Sequence, residues 1–446
     1  MDNKTIYALS TVFGKSGVAV FRISGNNSLK AVECLTDINS SKISPRHAYF
    51  CSLHDVKGNA LDKALVIYFK APFSFSGEDI VEIHSHGSKA VIASLLENLG
   101  MLEDFRLAEP GEFSKRAFYN GKMDLTEAEG LADLIDAETS EQQKYALRQM
   151  DGELKNLYES WRSDLVSVLS YLEAYIDFPD EELPDDIVSN LENTVFKVKN
   201  SIQSHLSQSN CGERLRDGFR VVILGEPNAG KSSLLNTLAK REAVIVSDVA
   251  GTTRDAIDVY LNIGGYPVIF TDTAGLHSTE EQIEKKGIEI AYEKAEDADL
   301  IVALIDGKNP NVEQFEKLST SCKNKIIYVV NKSDILSQEQ CYSFIEKGFM
   351  VISAKQKSGI NSLINKVNNC IASEFTGNSS ALITRQRYRE VLNDVFKNLN
   401  DFNLNKSIEL AAEDIRLAAR NIGKITGRIE VDEILDKIFG SFCIGK

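Results

Sequence analysis

One stretch, GEPNAGKS at 225–232, combines two glycines, a lysine and a serine at the spacing of a phosphate-binding loop. It follows the apolar run RVVIL and opens a segment with helical character, which is the context that this motif requires. Glycines let the backbone wrap around a phosphate, so that amide N–H groups and the positive end of a helix face the negative charge. Lys231 would reach the β- and γ-phosphates, and Ser232 would bind Mg²⁺. The stretch therefore predicts a nucleoside triphosphate site.

Three further segments indicate which nucleotide is bound. DTAG (272–275) ends a predicted strand, which places Asp272 near the magnesium shell and Gly275 near the γ-phosphate. NKSD (331–334) follows another strand, and the Asp334 carboxylate can accept from N1–H and the exocyclic amine of guanine, an arrangement that adenine lacks. Such hydrogen bonds to a charged group contribute roughly 1.5–3 kcal/mol. With SAK (353–355) as a third loop at the base, these motifs predict a GTPase.

The residue after DTAG indicates how hydrolysis must differ from that of Ras-like switches. Those proteins carry a glutamine that orients the attacking water, whereas Leu276 stands here and cannot do so. There are two candidates for the missing catalytic role. One is Glu284, and the other is a cation that acts where an arginine finger would. The segment SDVAGTTRD (247–255) is predicted as the switch, with Thr253 as the second magnesium ligand.

Alternating strands and helices must position these motifs. We predict that each of five segments forms a short apolar strand: FRVVILGEP, YLNIGGYPVIFTDTAG, LIVALIDG, KIIYVVNKSD and FMVISAK. Helical segments separate most of them, which is typical of a mostly parallel sheet covered by helices. The sequence predicts a Ras-like α/β P-loop GTPase domain over 215–375.

Helical segments flank this domain on both sides, so we predict a helical domain interrupted by it, at 120–214 and 376–446. No proline occurs between Pro110 and Pro179 or after Pro310, and long helices with a break near Gly152 are expected. The last helix should carry an apolar stripe that ends at Gly440, made of Ile429, Val431, Ile434, Leu435, Ile438 and Phe439.

An α+β domain is predicted over 1–119. Its strand patterns are GVAVFRI, HAYFCSL, ALVIYF and IVEIHSH, and its helices are expected near 88–99 and 110–119. Alternation in IVEIHSH places Glu82, His84 and His86 on one face of a strand. Two histidines at this spacing can chelate a metal, but no third ligand motif accompanies them, and ordinary strand residues beside a pocket are the alternative.

Composition excludes several classes of protein. The chain has 446 residues, of which 43% are hydrophobic and 26% charged, without the run of about 18 apolar residues that spans a membrane. Seven scattered cysteines without a C-x-x-C pair favour reduced thiols in a cytoplasmic protein, and no secretory signal is recognised. A net charge of −15 argues against nucleic-acid binding over the whole surface.

Together, GEPNAGKS, GTTRD, DTAGL, NKSD and the terminal FCIGK resemble the family of tRNA modification GTPases named MnmE or TrmE, along the whole chain. The resemblance implies that GTP is contacted by Asn228, Ala229, Gly230, Lys231, Ser232, Ser233, Ser247, Thr252, Thr253, Asp272, Thr273, Ala274, Gly275, Asn331, Lys332, Asp334, Ser353, Ala354 and Lys355. It implies Mg²⁺ at Ser232 and Thr253, and K⁺ at Asn228, Ser247, Val249 and Thr252, with GTPase domains pairing across the potassium ion. Glu284 would position water, and His277 departs from the arginine of many relatives.

For the N-terminal domain, the resemblance implies a tetrahydrofolate-binding fold similar to that of aminomethyltransferases, which is also the homodimer contact. Arg22, Glu82, Lys122 and Lys446 would bind a formyl or methylene tetrahydrofolate. With an FAD-containing partner, in a heterotetramer or larger assembly, the protein would add an aminomethyl or carboxymethylaminomethyl group at C5 of the tRNA wobble uridine, with nitrogen from ammonium or glycine. The rival function is a GTP-dependent assembly factor that binds RNA or ribosomes without covalent chemistry.

Two features keep alternative interpretations. The resemblance implies that Cys443 in CIGK is a catalytic thiol. The alternatives are a spectator cysteine and a lipid anchor, and the glycine and the final lysine of CIGK disfavour the lipid anchor. Arg416, Arg420, Lys424 and Arg428 recur every four residues on one helical face. They form either a stripe for tRNA phosphates or a solvated face paired with Glu413 and Asp414.

Overall fold

The computed structural model describes residues 3–177, 185–207, 209–242, 257–272, 298–311, 325–375, 382–429, 435, 438–440, 442 and 444–445. These residues form two compact units, one with 1–132, 150–159 and 422–446, the other with 133–149 and 160–421. The division into domains at 119, 214 and 375 stays a prediction. In the described part of the chain, no helix combines the length and hydropathy that crossing a membrane demands.

The first unit is built around a six-stranded sheet with the order β3-β4-β5-β2-β1-β6. The strands are β1 (Thr5–Leu9), β2 (Ser16–Ser24), β3 (Ala48–His54), β4 (Ala60–Phe69), β5 (Ile80–Gly87) and β6 (Phe105–Leu107). All pairs are antiparallel except β1 with β6. The four predicted strands are confirmed as β2 to β5, while the sequence patterns missed β1 and β6.

Helices cover this sheet: α1 (Ser28–Leu35), a 3-10 helix (Ser40–Lys42), α2 (Lys89–Gly100) and α3 (Glu112–Tyr119). Ser88 begins α2 because its hydroxyl oxygen accepts from the Val91 N–H, which satisfies an otherwise unpaired amide. Both predicted helices are confirmed as α2 and α3. A small apolar cluster also forms in this unit, from Ile6, Ala8, Ala108, Phe113 and Phe75; we call it the β1 cluster.

Five helices follow: α4 (Leu125–Ile135), α5 (Ser140–Met150), α6 (Glu153–Asp177), α7 (Asp185–Ser207) and α8 (Ser209–Asp217). The break expected near Gly152 is confirmed between α5 and α6. Gly152 has φ +83° there, a left-handed conformation that a residue with a side chain rarely adopts.

The second sheet has the order β12-β11-β10-β7-β9-β8. Its strands are β7 (Phe219–Gly225), β8 (Ile257–Ile263), β9 (Tyr266–Asp272), β10 (Leu300–Asp306), β11 (Lys325–Asn331) and β12 (Met350–Val351), with helices α9 (Lys231–Arg241), α10 (Gln338–Glu346) and α11 (Ile360–Phe375). Neighbouring strands are parallel except β8 and β9, so the predicted α/β architecture is confirmed.

One predicted strand in this sheet was wrong. The segment YLNIGGYPVIFTDTAG belongs to two strands, because Gly264 and Gly265, with φ +61° and +94°, turn the chain between β8 and β9. Paired glycines between apolar runs are a hairpin signal that the sequence did contain.

Two long helices close the described chain, α12 (Gln386–Asp401) and α13 (Ile408–Thr426). Beyond them, Leu435 and Phe439 are buried with Leu125 and Phe442, which agrees with part of the predicted apolar stripe. Val431 and Ile434 lie outside the described residues.

His205 on α7 gives the second unit a pH-dependent stability. It is 6% exposed, and its ring lies 5.5 Å from that of Trp161, edge to face. Burial lowers the pKa of His205 to about 4, against about 6.5 in an unfolded chain. As the pH falls, the unfolded state therefore takes up the proton first. The contribution of His205 to the free energy of unfolding is fully present above about pH 6.5 and decreases by about 3 kcal/mol as the pH falls to about 4.

We therefore expect the urea midpoint to decrease across this pH range in the wild type and to change much less in His205→Gln. Fluorescence of Trp161, the only tryptophan of the chain, reports the unfolding. Equal pH dependence in both proteins would contradict the assignment to His205.

Candidate functional site

The loop between β7 and α9 has the shape that phosphate binding requires. Asn228 and Gly230 both have positive φ, +66° and +97°, which turns successive backbone N–H groups toward one side of the loop. A side chain at Gly230 would overlap the amide nitrogen of Asn331, so glycine is required there. Gly230 is the N-cap of α9 and makes no side-chain capping bond, so the positive end of this helix faces the concave side of the loop.

Lys231 is the first residue of α9 and is 9% exposed. Its Nζ atom donates to the backbone oxygens of Gly225 at 2.7 Å and Glu226 at 3.2 Å, both in the same loop. The ammonium group is thus fixed over the concave side of the loop, where it can neutralise phosphate oxygens. Ser232 and Ser233 follow in the first turn of the helix and are exposed.

Asn331 connects the phosphate loop to the base loop. Its Nδ2 atom donates to the Ala229 oxygen at 2.8 Å, and its Oδ1 atom accepts from the Ala354 N–H at 3.0 Å. The residue is only 3% exposed, so both bonds are made in a desolvated setting. This bridge brings the predicted motifs GEPNAGKS, NKSD and SAK together at one edge of the second sheet.

Asp334 lies beside this bridge and is oriented by Ser353, whose hydroxyl group donates to the carboxylate at 2.5 Å. The same hydrogen bond lowers the pKa of Asp334, so the side chain is an anionic acceptor at neutral pH. Ser353 is itself buried and accepts from the Gln356 N–H at 3.1 Å. A fixed anionic acceptor is what recognition of the guanine N1–H and amine requires.

Sequence reasoning missed two supporting residues. Asp306 ends β10 and forms a 2.7 Å ion pair with Lys332, which orients the lysine of NKSD. Thr237 on α9 donates to the Ala354 oxygen at 3.3 Å. Asp306 could have been found, since the apolar run in LIVALIDG is followed by an aspartate at the same edge of a parallel sheet as NKSD.

Several predicted residues lie outside the described part of the chain: Ser247, Val249, Thr252, Thr253, Thr273, Ala274, Gly275, Leu276, His277, Glu284, Cys443 and Lys446. Asp272 is the last residue of β9, which pairs in parallel with β7. Its backbone is therefore at the same edge of the sheet as the phosphate loop. Lys355 follows Ala354 and is exposed.

A second polar site lies on the sheet of the first unit. Arg22 on β2 and Glu82 on β5 are register partners and form an ion pair at 3.0 Å. The Glu82 carboxylate also hydrogen-bonds His84 at 3.2 Å, and this contact together with the charge of Arg22 lowers the pKa of Glu82. The guanidinium lies 5.2 Å from the Phe75 ring centre and 5.9 Å from that of Phe113, both in the β1 cluster.

The two histidines of IVEIHSH have separate carboxylate partners. His84 contacts Glu82, whereas His86 is bonded to Asp62 at 2.8 Å. Within the described residues, no group of three or more His, Cys, Asp and Glu side chains is arranged as a metal site.

Lys122 is exposed and donates to the Pro72 oxygen at 2.8 Å, and Pro72 lies on the same β4–β5 loop as Phe75. The structure thus brings Arg22 and Glu82 together, while Lys122, which follows α3, contacts the β4–β5 loop.

The predicted basic stripe is largely paired. Arg416 contacts Glu173 at 3.0 Å and also Glu413, and Arg428 contacts Glu159 at 2.7 Å. Arg428 is wrongly predicted as part of the helical face, because α13 ends at Thr426 and Gly427, with φ +85°, turns the chain. Asp414 pairs with Lys406 at 3.8 Å. The interpretation as a solvated, paired face fits Arg416 better than a stripe open to phosphates.

Comparison with known proteins shows the family of the chain. Residues 5–122 match the family model described as GTP-binding protein TrmE N-terminus, and residues 125–443 match the MnmE helical domain. The tRNA modification GTPase MnmE of Paramagnetospirillum magneticum is 46% identical over 445 residues, with 100% of both chains covered. That of Parvibaculum lavamentivorans is 47% identical, with 99% of this chain and 100% of the relative covered.

Among solved structures, a variant of Aquifex aeolicus Era bound to GDP·AlF4⁻ is 28% identical, with a TM-score of 0.27. The matched region covers 34% of this chain and 56% of the Era chain. The full-length relatives and the two family models carry the assignment. The chain belongs to the family of tRNA modification GTPases named MnmE.

Proposed function

We propose that this chain is a potassium-dependent GTPase that, with an FAD-containing partner, adds an aminomethyl or carboxymethylaminomethyl group at C5 of the tRNA wobble uridine. The carbon would come from a formyl or methylene tetrahydrofolate. The observation that carries the nucleotide part is the Asn331 bridge, which joins the phosphate loop to the loop beside Asp334. The tRNA part rests on full-length relatives that are named tRNA modification GTPases.

The described residues fit a guanine nucleotide. The helix N-terminus at Gly230 and the Lys231 ammonium would bind phosphate oxygens, and Asp334 would accept from the guanine. Magnesium would be held by Ser232 and Thr253, with Asp272 in its outer shell. When bound, the metal ion neutralises charge on the phosphate oxygens during transfer.

The N-terminal sheet fits a folate. A pterin ring offers N–H donors to an anionic acceptor, and Glu82 stays anionic because its pKa is lowered by His84 and Arg22. The β1 cluster beneath Arg22 contributes aromatic surface through Phe75 and Phe113. Lys122, with Lys446 of the tail, would neutralise the carboxylates of the folate glutamate. The folate supplies the one-carbon unit.

The proposed assembly brings GTP hydrolysis, the folate site and the redox step together in one complex. Two copies of the chain would pair through their N-terminal domains, and the pair would join an FAD-dependent partner in a heterotetramer or larger complex. The partner would supply the redox step, and GTP hydrolysis would close the GTPase domains on each other. Because tRNA and GTP are the substrates, the proposal places the protein in the cytoplasm.

Hydrolysis is expected to depend on potassium. The Leu276 side chain cannot orient water. Asn228 lies in the phosphate loop with a left-handed backbone, and its amide oxygen would bind a cation together with Ser247, Val249 and Thr252. We expect GTP hydrolysis to be at least about ten-fold slower in NaCl than in KCl, since a missing charge at the transition state costs that much or more. Equal rates at matched ionic strength would overturn the potassium role.

Glu284→Ala serves as the companion variant in this experiment. If Glu284 positions the attacking water, hydrolysis should be slow in both salts, by on the order of 10²-fold, while GTP affinity stays close to that of the wild type. Normal hydrolysis in KCl would assign the water to another group of the switch.

Mass spectrometry of wobble nucleosides from a strain lacking the gene tests the proposed function as a whole. We expect the C5 group to be absent in the deletion strain and restored by the wild-type gene. Unchanged wobble nucleosides together with a defect in ribosome or RNA assembly would favour the rival function, a GTP-dependent assembly factor.

A further inference from the structure

A short segment lies between the phosphate loop and the base loop. It follows β10, which is the strand between β7 and β11 in the second sheet. These three strands are parallel, so the loops at their carboxyl ends lie side by side. β7 leads into GEPNAGKS and β11 leads into NKSD, while β10 leads into DGKNPN (306–311). We call residues 306–311 the β10 loop. Its place in the sheet allows it to contact both nucleotide-binding loops.

One side of the β10 loop is bound to the base loop. The Gly307 N–H donates to the Asn331 oxygen at 3.0 Å, and the Asp306 carboxylate pairs with Lys332 at 2.7 Å. Gly307 packs so closely that a Cβ atom there would lie 2.6 Å from the Asn331 oxygen and 3.0 Å from the Leu336 side chain. Both the backbone and a charged side chain therefore connect the β10 loop to the base loop.

Asp306 also closes a turn within the β10 loop. Its Oδ1 atom accepts from the Lys308 N–H at 2.9 Å, and its backbone oxygen accepts from the Asn309 N–H at 3.2 Å. Pro310 follows, and its ring restricts the backbone φ angle to a narrow range. Asn311 is therefore held at the end of a short, hydrogen-bonded turn.

The other side of the β10 loop is bound to the phosphate loop. The Nδ2 atom of Asn311 donates to Oε1 of Glu226 at 2.9 Å. Glu226 is the second residue of GEPNAGKS, and its backbone oxygen accepts from Nζ of Lys231 at 3.2 Å. The residue that Asn311 contacts is thus one of the two whose backbone fixes the Lys231 ammonium group.

The β10 loop and the Asn331 bridge are separate connections between the phosphate loop and the base loop. The Asn331 bridge is buried, whereas Asn311 is exposed and Glu226 is partly exposed. A nucleotide that is bound at both loops leaves more easily when the two loops move apart. A second connection on the solvent side opposes that movement, and holding a site in its bound arrangement lowers the dissociation rate.

We propose that Asn311 is a positioning residue that acts through Glu226: it holds the phosphate loop next to the base loop and so slows the release of guanine nucleotide. The inference rests on the proposed function in so far as the site binds guanine nucleotide. It concerns the lifetime of the complex, and it is separate from the choice of base, which is the role of Asp334.

Dissociation of a fluorescent GDP analogue from the full-length protein tests this role. The rate is measured by stopped flow after mixing with excess unlabelled GDP. Asn311→Ala removes one partly exposed hydrogen bond and should speed release by about 3- to 10-fold. Asn311→Asp places a second carboxylate against Glu226 and should speed release further, because like charges repel. The preference for GTP over xanthosine triphosphate should stay that of the wild type in both variants.

An exchange of donor and acceptor shows whether the two side chains act through each other. The double variant Glu226→Gln, Asn311→Asp has the amide at position 226 and the carboxylate at position 311. The combined length of the two side chains is unchanged, so the hydrogen bond can form in the opposite direction. Release should then return to within about two-fold of the wild-type rate, far from the sum of two independent effects.

Asn309→Ala is the matched control, since it removes an asparagine side chain from the same loop. Its contact with Asp306 is made by the backbone N–H, which alanine keeps. This variant should release nucleotide like the wild type. Wild-type release in Asn311→Ala and Asn311→Asp would overturn the proposal, and so would fast release that the double variant does not reverse. If the wild type bound no guanine nucleotide, the proposed function would fail as well, whereas the other two results leave that function intact.

Discussion

Replacing Asp334 with asparagine should reverse the base preference of the nucleotide site. The carboxylate is oriented by Ser353 at 2.5 Å and would accept from both guanine N–H groups, whereas an amide would place its NH₂ donor against the guanine amine. Loss of two charge-assisted hydrogen bonds should weaken GTP binding by on the order of 10²-fold or more. Xanthosine triphosphate offers N1–H and a carbonyl oxygen instead, so it should bind the variant better than GTP does.

Asp258→Asn is the matched control for this substitution. Its carboxylate also accepts from a hydroxyl group, that of Thr271 at 2.7 Å, but it lies on β8, at the opposite edge of the sheet from β12. Competition between GTP and xanthosine triphosphate, measured with a fluorescent nucleotide, should give the wild-type preference in Asp258→Asn. An unaltered GTP preference in Asp334→Asn would mean that another group reads the base.

Cys443→Ser should eliminate wobble-uridine modification. If the thiol or thiolate takes part in the one-carbon step, a hydroxyl group cannot replace it, because an alcohol has no comparable acidity or nucleophilicity near neutral pH. Cys443 lies outside every nucleotide motif, so GTP hydrolysis should continue. Retained hydrolysis would also confirm that the variant is folded. Nucleoside mass spectrometry and a GTPase assay on the same preparation measure both activities.

Cys34→Ser is the appropriate control, since Cys34 is an exposed free cysteine of the same unit. It should modify tRNA normally. A spectator role for Cys443 predicts normal modification in both variants, and a lipid anchor predicts that only Cys443→Ser moves from the membrane to the soluble fraction. Either result would remove the catalytic role assigned to the tail.

Local sequence determined the chemistry of the nucleotide site. GEPNAGKS and NKSD each lie within a few consecutive residues at the end of a strand, so backbone geometry alone brings their functional groups into place. Parallel strands then bring these ends to one edge of a sheet, which is why the α/β fold and the GTPase assignment followed from motif order. The same logic predicted the strand carrying Glu82 and His84.

Contacts between residues distant in sequence were decided only by the tertiary structure. Nothing in IVEIHSH indicates that His86 pairs with Asp62, which is brought in by another strand. The Asn331 bridge spans more than 100 residues, and the Ser10–Gly445 bond has a sequence separation of 435. Such pairings depend on where whole elements pack, and one-dimensional periodicity carries no information about that. Sequence therefore determined which groups can bind GTP, while packing decided which residues orient them and which residues Gly445 contacts.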